Sequence, residues 1–284
     1  TDTLKVTIGT KLEDNEFSEF EVQPSVRLAW RIAPEHTVWS AISRAVRVPT
    51  RLERDIAVDA SDPAGNPVIR LQGNQDFEAE ELLAYEAGYR WTPRCNLSVD
   101  LATFYNRYDK LASLELGTPF VDPVSGHTIV PILNQNLSEG DSHGIEALVT
   151  FAPRENWPLS ATYSYFDLSI DPKGQDINRG RYYEGATPRH QAGLRSLLDL
   201  PGGLQLDAHW RYLSDIRRSR EIATGEGLDG YTELDLRLAW EAWEQLEISV
   251  VGQNLLDQRH VEFASPATGG QIERSVYAKL AWGF

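Results

Sequence analysis

The stretch "ERSVYAKLAWGF" (273–284) decides the fold. Val276, Ala278, Leu280, Trp282 and Phe284 share one parity and are all apolar. Ser275, Tyr277, Lys279, Ala281 and Gly283 share the other and are polar, small or amphipathic. A strand turns successive side chains to opposite faces, so this alternation marks a strand with one apolar side and one wet side.

The same period recurs upstream. In "YTELDLRLAW" (231–240), Thr232, Leu234, Leu236, Leu238 and Trp240 oppose Glu233, Asp235 and Arg237. "LQLDAHWRY" (204–212), "LSVDLATFY" (97–105), "IEALVTF" (145–151) and "VRLAWRI" (26–32) repeat it. About twelve strands are expected, near 3–12, 20–33, 36–47, 80–92, 95–110, 138–153, 157–169, 189–200, 203–216, 231–242, 245–256 and 273–284. Many reach ten residues or more, against a usual mode of about five or six, and about ten tilted residues cross a bilayer.

The connections alternate in length. "APEH", "TPRC", "PREN", "LPGG" and "EAWEQ" are turn-like, whereas 48–79, 111–137, 170–188, 217–230 and 257–272 are long and polar. Only the first hairpin, through "EDNEFSE" (13–19), is short on the long side. Up-and-down strands with all short turns on one rim are the plan of an outer-membrane barrel. Trp, Tyr and Leu run along the apolar face to the strand ends, where interface girdles sit. The fold class expected is therefore all-β, an antiparallel up-and-down transmembrane β-barrel, ahead of a soluble all-β binding module.

Composition agrees. The chain of 284 residues carries a net charge of −15, which leaves no basic face for nucleic acid. It contains no run of about 18 apolar residues, so no helix is expected to span a membrane. A mean hydropathy of −0.39 is compatible with half-apolar strands. The single Cys95 can make no internal disulfide and has no other sulfur or histidine nearby to suggest a metal site, so an inert thiol is expected. With no methionine, hence no initiator, and a strand almost from residue 1, the sequence reads as a piece of a longer chain.

Motifs of chemistry are sparse. "GEGLDG" (225–230) fits a dinucleotide fingerprint but precedes a strand, where that motif requires a helix. "DPKGQDIN" (171–178) offers oxygens faintly like a calcium loop but lacks the closing glutamate. The histidines, at 36, 127, 143, 190, 209 and 260, show no metal-ligand spacing. Glu233 and Asp235 are expected to join an arginine network with Arg211 and Arg237 rather than act as an acid/base pair. No catalytic residue, cofactor site or metal site is expected. "RAVRVPTRLERD" (44–55) carries Arg44, Arg47, Arg51 and Arg54, which either balance nearby carboxylates or form a cationic patch for anionic ligands. Phe120, Tyr182, Tyr183 and Phe263 in long connections are either loop packing or ligand contacts.

Four segments then carry a resemblance: "SRAVRVPTRLERD" (43–55), "EELLAYEAGYR" (80–90), "VVGQNLLDQRHVEF" (250–263) and "ERSVYAKLAWGF". Together, in order along the chain, they resemble the C-terminal barrel part of a TonB-dependent outer-membrane receptor. The resemblance implies a 22-stranded barrel occluded by a plug. Residues 1–284 would then form a partial barrel domain without the plug, placed in the outer membrane of a Gram-negative bacterium. It further implies energised uptake of a scarce ligand such as a metal-siderophore complex, cobalamin or a carbohydrate, captured at extracellular loops. Coupling to TonB would run through the plug, and Phe284 would be the signal read by the barrel-assembly machinery. The rival within the membrane is a self-contained small barrel acting as a passive channel or adhesin.

Overall fold

The computed structural model describes residues 3–60, 68–177, 183–217, 227–262 and 270–283. Phe284, Tyr182 and Phe263 lie outside them. Twelve strands form one continuous antiparallel path, each hydrogen-bonded to its neighbours in the path. They are β1 (Leu4–Asn15), β2 (Glu19–Ala33), β3 (His36–Arg47), β6 (Glu80–Arg94), β7 (Leu97–Leu116), β9 (Thr128–Phe151), β10 (Leu159–Pro172), β11 (His190–Leu200), β12 (Leu204–Leu213), β13 (Tyr231–Trp243), β14 (Leu246–Gln253) and β17 (Ser275–Trp282). Each corresponds to one strand expected from the alternation. Among the described residues β1 and β17 each have a single neighbour, so the sheet is not closed.

The faces separate as the alternation requires. On β13, Leu238 and Trp240 are 51% and 48% exposed, while Glu233 and Ala239 on the other parity are buried. Leu4, Val6, Ile8, Leu101, Ile145, Leu194 and Val250 continue the exposed apolar face on other strands. Among the described residues no second layer covers it: the path is one sheet. A water-soluble sandwich would bury this face, and soluble monomers expose apolar patches of only a few hundred Å². The inverted pattern, apolar out and polar in, is that of a sheet standing in lipid.

The short turns lie where expected, at Pro34–Glu35, Cys95–Asn96, 152–158, 201–203 and 244–245. "LPGG" works because Gly202 and Gly203 adopt φ of 83° and 75°, a left-handed conformation that costs glycine little.

The long rim differs from expectation. The connections 48–79 and 111–137 are largely ordered rather than loops. α1 (Arg51–Asp55), β4 (Ala57–Ala60) and β5 (Val68–Gln72) fill the first, and β7 and β9 extend to 20 and 24 residues through the second. β8 (Phe120–Val121) pairs with β9 at the tip, and β5 adds to β9 in parallel. The cause lies in "VIRLQ" (68–72) and "TIVPILNQNL" (128–137), whose apolar and β-branched residues were outweighed by Gly, Asp and Pro around them. These strands bury a small cluster of their own, with Ile129 at 1% and Phe77 at 2% exposure. β7 bends into this outgrowth through register shifts at Tyr108/Leu111 and Leu111/Ser113, with Lys110 at φ 55°. The connection 257–272 likewise holds a hairpin, β15 (Arg259–Val261) and β16 (Gln271–Glu273).

Candidate functional site

The polar face is an ion-pair wall. Arg90 and Asp100 are register partners on β6 and β7 and lie 2.5 Å apart. Arg237 on β13 bridges Asp207 of β12 at 3.0 Å and Glu247 of β14 at 2.7 Å. Arg211 of β12 pairs with buried Glu233. The expected arginine network is thus present with one change of partner. Asp235 does not take Arg237 and instead accepts the backbone N–H of Asn254 at 2.9 Å. Trp39 lies flat on this wall over Gly88, where a Cβ would come within 2.3 Å of the indole.

At the long rim, the four arginines of "RAVRVPTRLERD" are distributed rather than pooled. Arg44 hydrogen-bonds Glu81 at 3.2 Å and lies 3.4 Å from Glu21. Arg47 makes two bonds to Glu53, at 2.8 and 3.1 Å, and two to Glu80, at 2.6 and 2.8 Å. Such two-pronged pairs fix both partners in plane. Arg54 donates to the Phe17 carbonyl at 3.1 Å and stacks over its ring at 5.5 Å. Arg51, 84% exposed, keeps its guanidinium in solvent with Asp55 at 3.5 Å. Carboxylates and backbone carbonyls thus engage all four guanidinium groups.

The short α1 is held by a capping box. The Thr50 side chain accepts from Glu53 N, and Glu53 accepts from Thr50 N at 2.9 Å. Burial pushes the Glu53 carboxyl up, but the Arg47 and Thr50 hydrogen bonds outweigh it and hold it below the usual glutamate range.

Arg47 and Tyr183 meet at one cleft of about 490 Å³ on the polar side of the rim. Its wall is unexpectedly apolar for that face: Tyr108, Phe166, Leu168 and Ile170 line it. Buried Ser138 also lines it, and its Oγ has no partner among the described residues. An aromatic and aliphatic wall with the Arg47–Glu80 ion pair at its edge suits a ligand with a hydrophobic body and a few polar anchors. Phe120 sits apart at the ribbon tip, 40% exposed and paired in register with Ile129.

The weaker motifs resolve plainly. The described part of "GEGLDG" runs into β13, with no helix to receive a pyrophosphate. In "DPKGQDIN", Asp171 pairs with Lys173 at 2.7 Å, and the Asp176 carboxylate accepts Leu114 N at 3.2 Å. Pairing of this kind competes with cation binding. One grouping was not visible in the sequence: Glu233, His260 and Glu262, whose donor atoms all lie within 4.8 Å of one another. Glu233 is 27 positions from His260, and only the β15 hairpin folding back on β13 unites them.

Comparison with known proteins follows the geometry. The family model "TonB dependent receptor-like, beta-barrel" matches residues 1–255. The pesticin receptor of Yersinia pestis is 26% identical over 212 residues, covering 70% of this chain and 28% of that protein. The iron-regulated outer membrane virulence protein of Vibrio cholerae is 24% identical over 166 residues, covering 57% of this chain and 24% of its own length. The siderophore receptor PirA from Acinetobacter baumannii superposes with a TM-score of 0.76 at 16% identity. A variant of the ferric enterobactin receptor PfeA from Pseudomonas aeruginosa, in complex with enterobactin, superposes at 0.75 and 17%. Both alignments cover all of this chain and 44% of the solved one. The chain therefore spans less than half the length of the relatives it matches.

Proposed function

The chain belongs to the TonB-dependent receptor-like β-barrel family, and on that premise we propose that it forms the ligand-capturing side of an outer-membrane receptor for energised uptake. The leading ligand class is a metal-siderophore complex, ahead of cobalamin or a carbohydrate. Relatives named for siderophores and iron regulation support that order. The observation that carries the reading is the rim cleft, which sits on the polar face at the long-connection end and is lined by Arg47, Tyr108, Phe166 and Tyr183. A chelate whose organic shell is aromatic or aliphatic would lay that shell against Phe166, Leu168 and Ile170, with exposed Arg51, paired to Asp55 at the same rim, adding positive potential toward residual negative charge.

The ion-pair wall has a complementary role in this reading. Paired arginines and carboxylates give a wetted surface with little net charge, against which a plug could slide without an apolar grip. Transport would need the plug and the inner-membrane coupling protein, acting through segments other than these residues. The apolar face would meet lipid, and the terminal aromatic would be read during assembly.

The test uses the full-length receptor that contains this chain, in cells lacking other iron receptors. A panel of radiolabelled ferric siderophores should include one that accumulates, and collapse of the proton gradient should abolish the accumulation. Phe166→Ala with Tyr183→Ala should weaken binding of that siderophore at least tenfold, the size expected for one or two lost aromatic contacts. No accumulation from any ferric siderophore, or accumulation indifferent to the gradient, would refute the reading.

A further inference from the structure

We propose that Glu233, His260 and Glu262 form a resident divalent-metal site at the long rim that ties the β15–β16 hairpin to the barrel wall. The site is independent of whichever ligand the receptor transports.

Two carboxylates and one imidazole with donor atoms within 4.8 Å of one another are a ligand set for a first-row divalent ion. The nitrogen donor disfavours calcium and magnesium, which prefer oxygen. Glu233 and His260 are both buried, so the ligands are already withdrawn from bulk water. Arg211 engages Oε2 of Glu233, and Asp235 reaches the same carboxyl group.

The surroundings hold the imidazole as metal sites do. Tyr231 stacks on His260 with centroids 4.0 Å apart and planes 17° from parallel, and its hydroxyl donates to Glu262 Oε1 at 3.0 Å. His260 Nε2 lies 3.3 Å from that same Glu262 oxygen, so Nε2 faces the centre of the cluster. Ligation through Nε2 requires the ring proton on Nδ1, with an acceptor there. The Asp257 carboxylate, 3.9 Å from Nδ1, is the acceptor on that side, and Asn254 Nδ2 lies 3.3 Å from the same nitrogen.

Asn254, 0% exposed, packs against the histidine: its Nδ2 lies 3.3 Å from His260 Nδ1 and donates to the Ile272 carbonyl at 3.2 Å. Its Oδ1 has no hydrogen-bond partner among the described residues, so the cluster borders a buried acceptor short of a donor. Charge points to a cation. Glu233, Asp235 and Glu262 gather beside Arg211, and Asp257 adds a carboxylate near His260, with Arg274 reaching the Asp257 carbonyl at 3.2 Å. A divalent cation would offset the excess.

The experiment is titration of the detergent-purified, untagged full-length receptor with Co²⁺, read by its visible d–d absorption, after chelator treatment. One equivalent should bind with bands of a low-coordinate nitrogen–oxygen site, and Zn²⁺ should displace it while Ca²⁺ does not. Glu262→Gln, which keeps an oxygen for Tyr231 to donate to, and His260→Ala should each weaken Co²⁺ at least tenfold. His127→Ala, on the exposed ribbon, should bind as the parent does. Heat-modifiable migration checks that each variant is folded, and Glu262→Gln decides alone if His260→Ala is not. Absence of stoichiometric Co²⁺ binding, equal affinity in parent and Glu262→Gln, or displacement by Ca²⁺ would overturn the proposal.

Discussion

Replacing Leu236 by arginine tests which face of the sheet meets lipid. Leu236 shares its parity with exposed Leu238 and Trp240. Four residues at a rise of about 3.4 Å and a tilt of about 40° place it roughly 10 Å from the Trp240 girdle, close to the midplane of an apolar band about 25 Å tall. Its register partners are Ala208 and Gly252, both small, with the Leu255 side chain against Gly252. The cost is then that of a guanidinium in hydrocarbon, about 2–4 kcal/mol, or about a 30- to 800-fold shift of the folding equilibrium. The strand carries its own comparison. Arg237 lies one step away at nearly the same depth, yet on the other face it holds two carboxylates. Asp235→Asn keeps an oxygen for Asn254 N–H and should stay within about 1 kcal/mol of the parent. The assay is denaturant-driven unfolding of the full-length receptor in lipid vesicles, followed by heat-modifiable migration. Equal midpoints for Leu236→Arg and Asp235→Asn would refute the facing assignment.

Three further outcomes are expected. Glu53 has a carboxyl held below its ordinary range, so its contribution to the order of α1 is present above that range and lost as pH falls through the folded value. The protection factors of the Glu53 and Arg54 amides should therefore drop in acid, and Glu53→Gln should show the low protection already at neutral pH. Gly88→Val forces Trp39 off the wall and should cost about 1–3 kcal/mol, read as a lower thermal midpoint with altered tryptophan fluorescence. Deleting Phe284 from the full-length receptor should lower the amount of heat-modifiable barrel in the outer membrane; an unchanged amount would deny the residue an assembly role.

The wall was legible because its physics is periodic. Each of its strands must alternate to stand between lipid and a polar interior, and Leu238 beside Arg237 states that requirement in two letters. The rim obeys no such period. β5 and the upper part of β9 carry short apolar runs among turn formers, and only their mutual pairing, distant in sequence, makes them strands. The arginine run sits beside its near partners, Glu53 and Asp55, in the sequence, but its distant ones are hidden. Arg47 takes Glu80, which is 33 residues away, and no spacing rule announces that. The grouping of Glu233 with His260 and Glu262 was hidden for the same reason. Ligand spacing is visible when one element supplies the donors, and here a folded-back hairpin does.

The parallel pairing of β5 with β9 has a kinetic consequence. Most strands of the wall share a tight turn with a neighbour, so those pairs can zip up hairpin by hairpin with short closures. Val68 and Ile129, by contrast, are 129 − 68 = 61 positions apart. Closing such a loop forfeits more chain entropy than closing a tight turn, and the contacts that repay it exist only once β9 stands in place. The mouth should therefore be completed late, on a finished support. A segment added last carries little of the information that directs the rest, so evolution can rewrite residues 48–79 while the strands beneath continue to assemble.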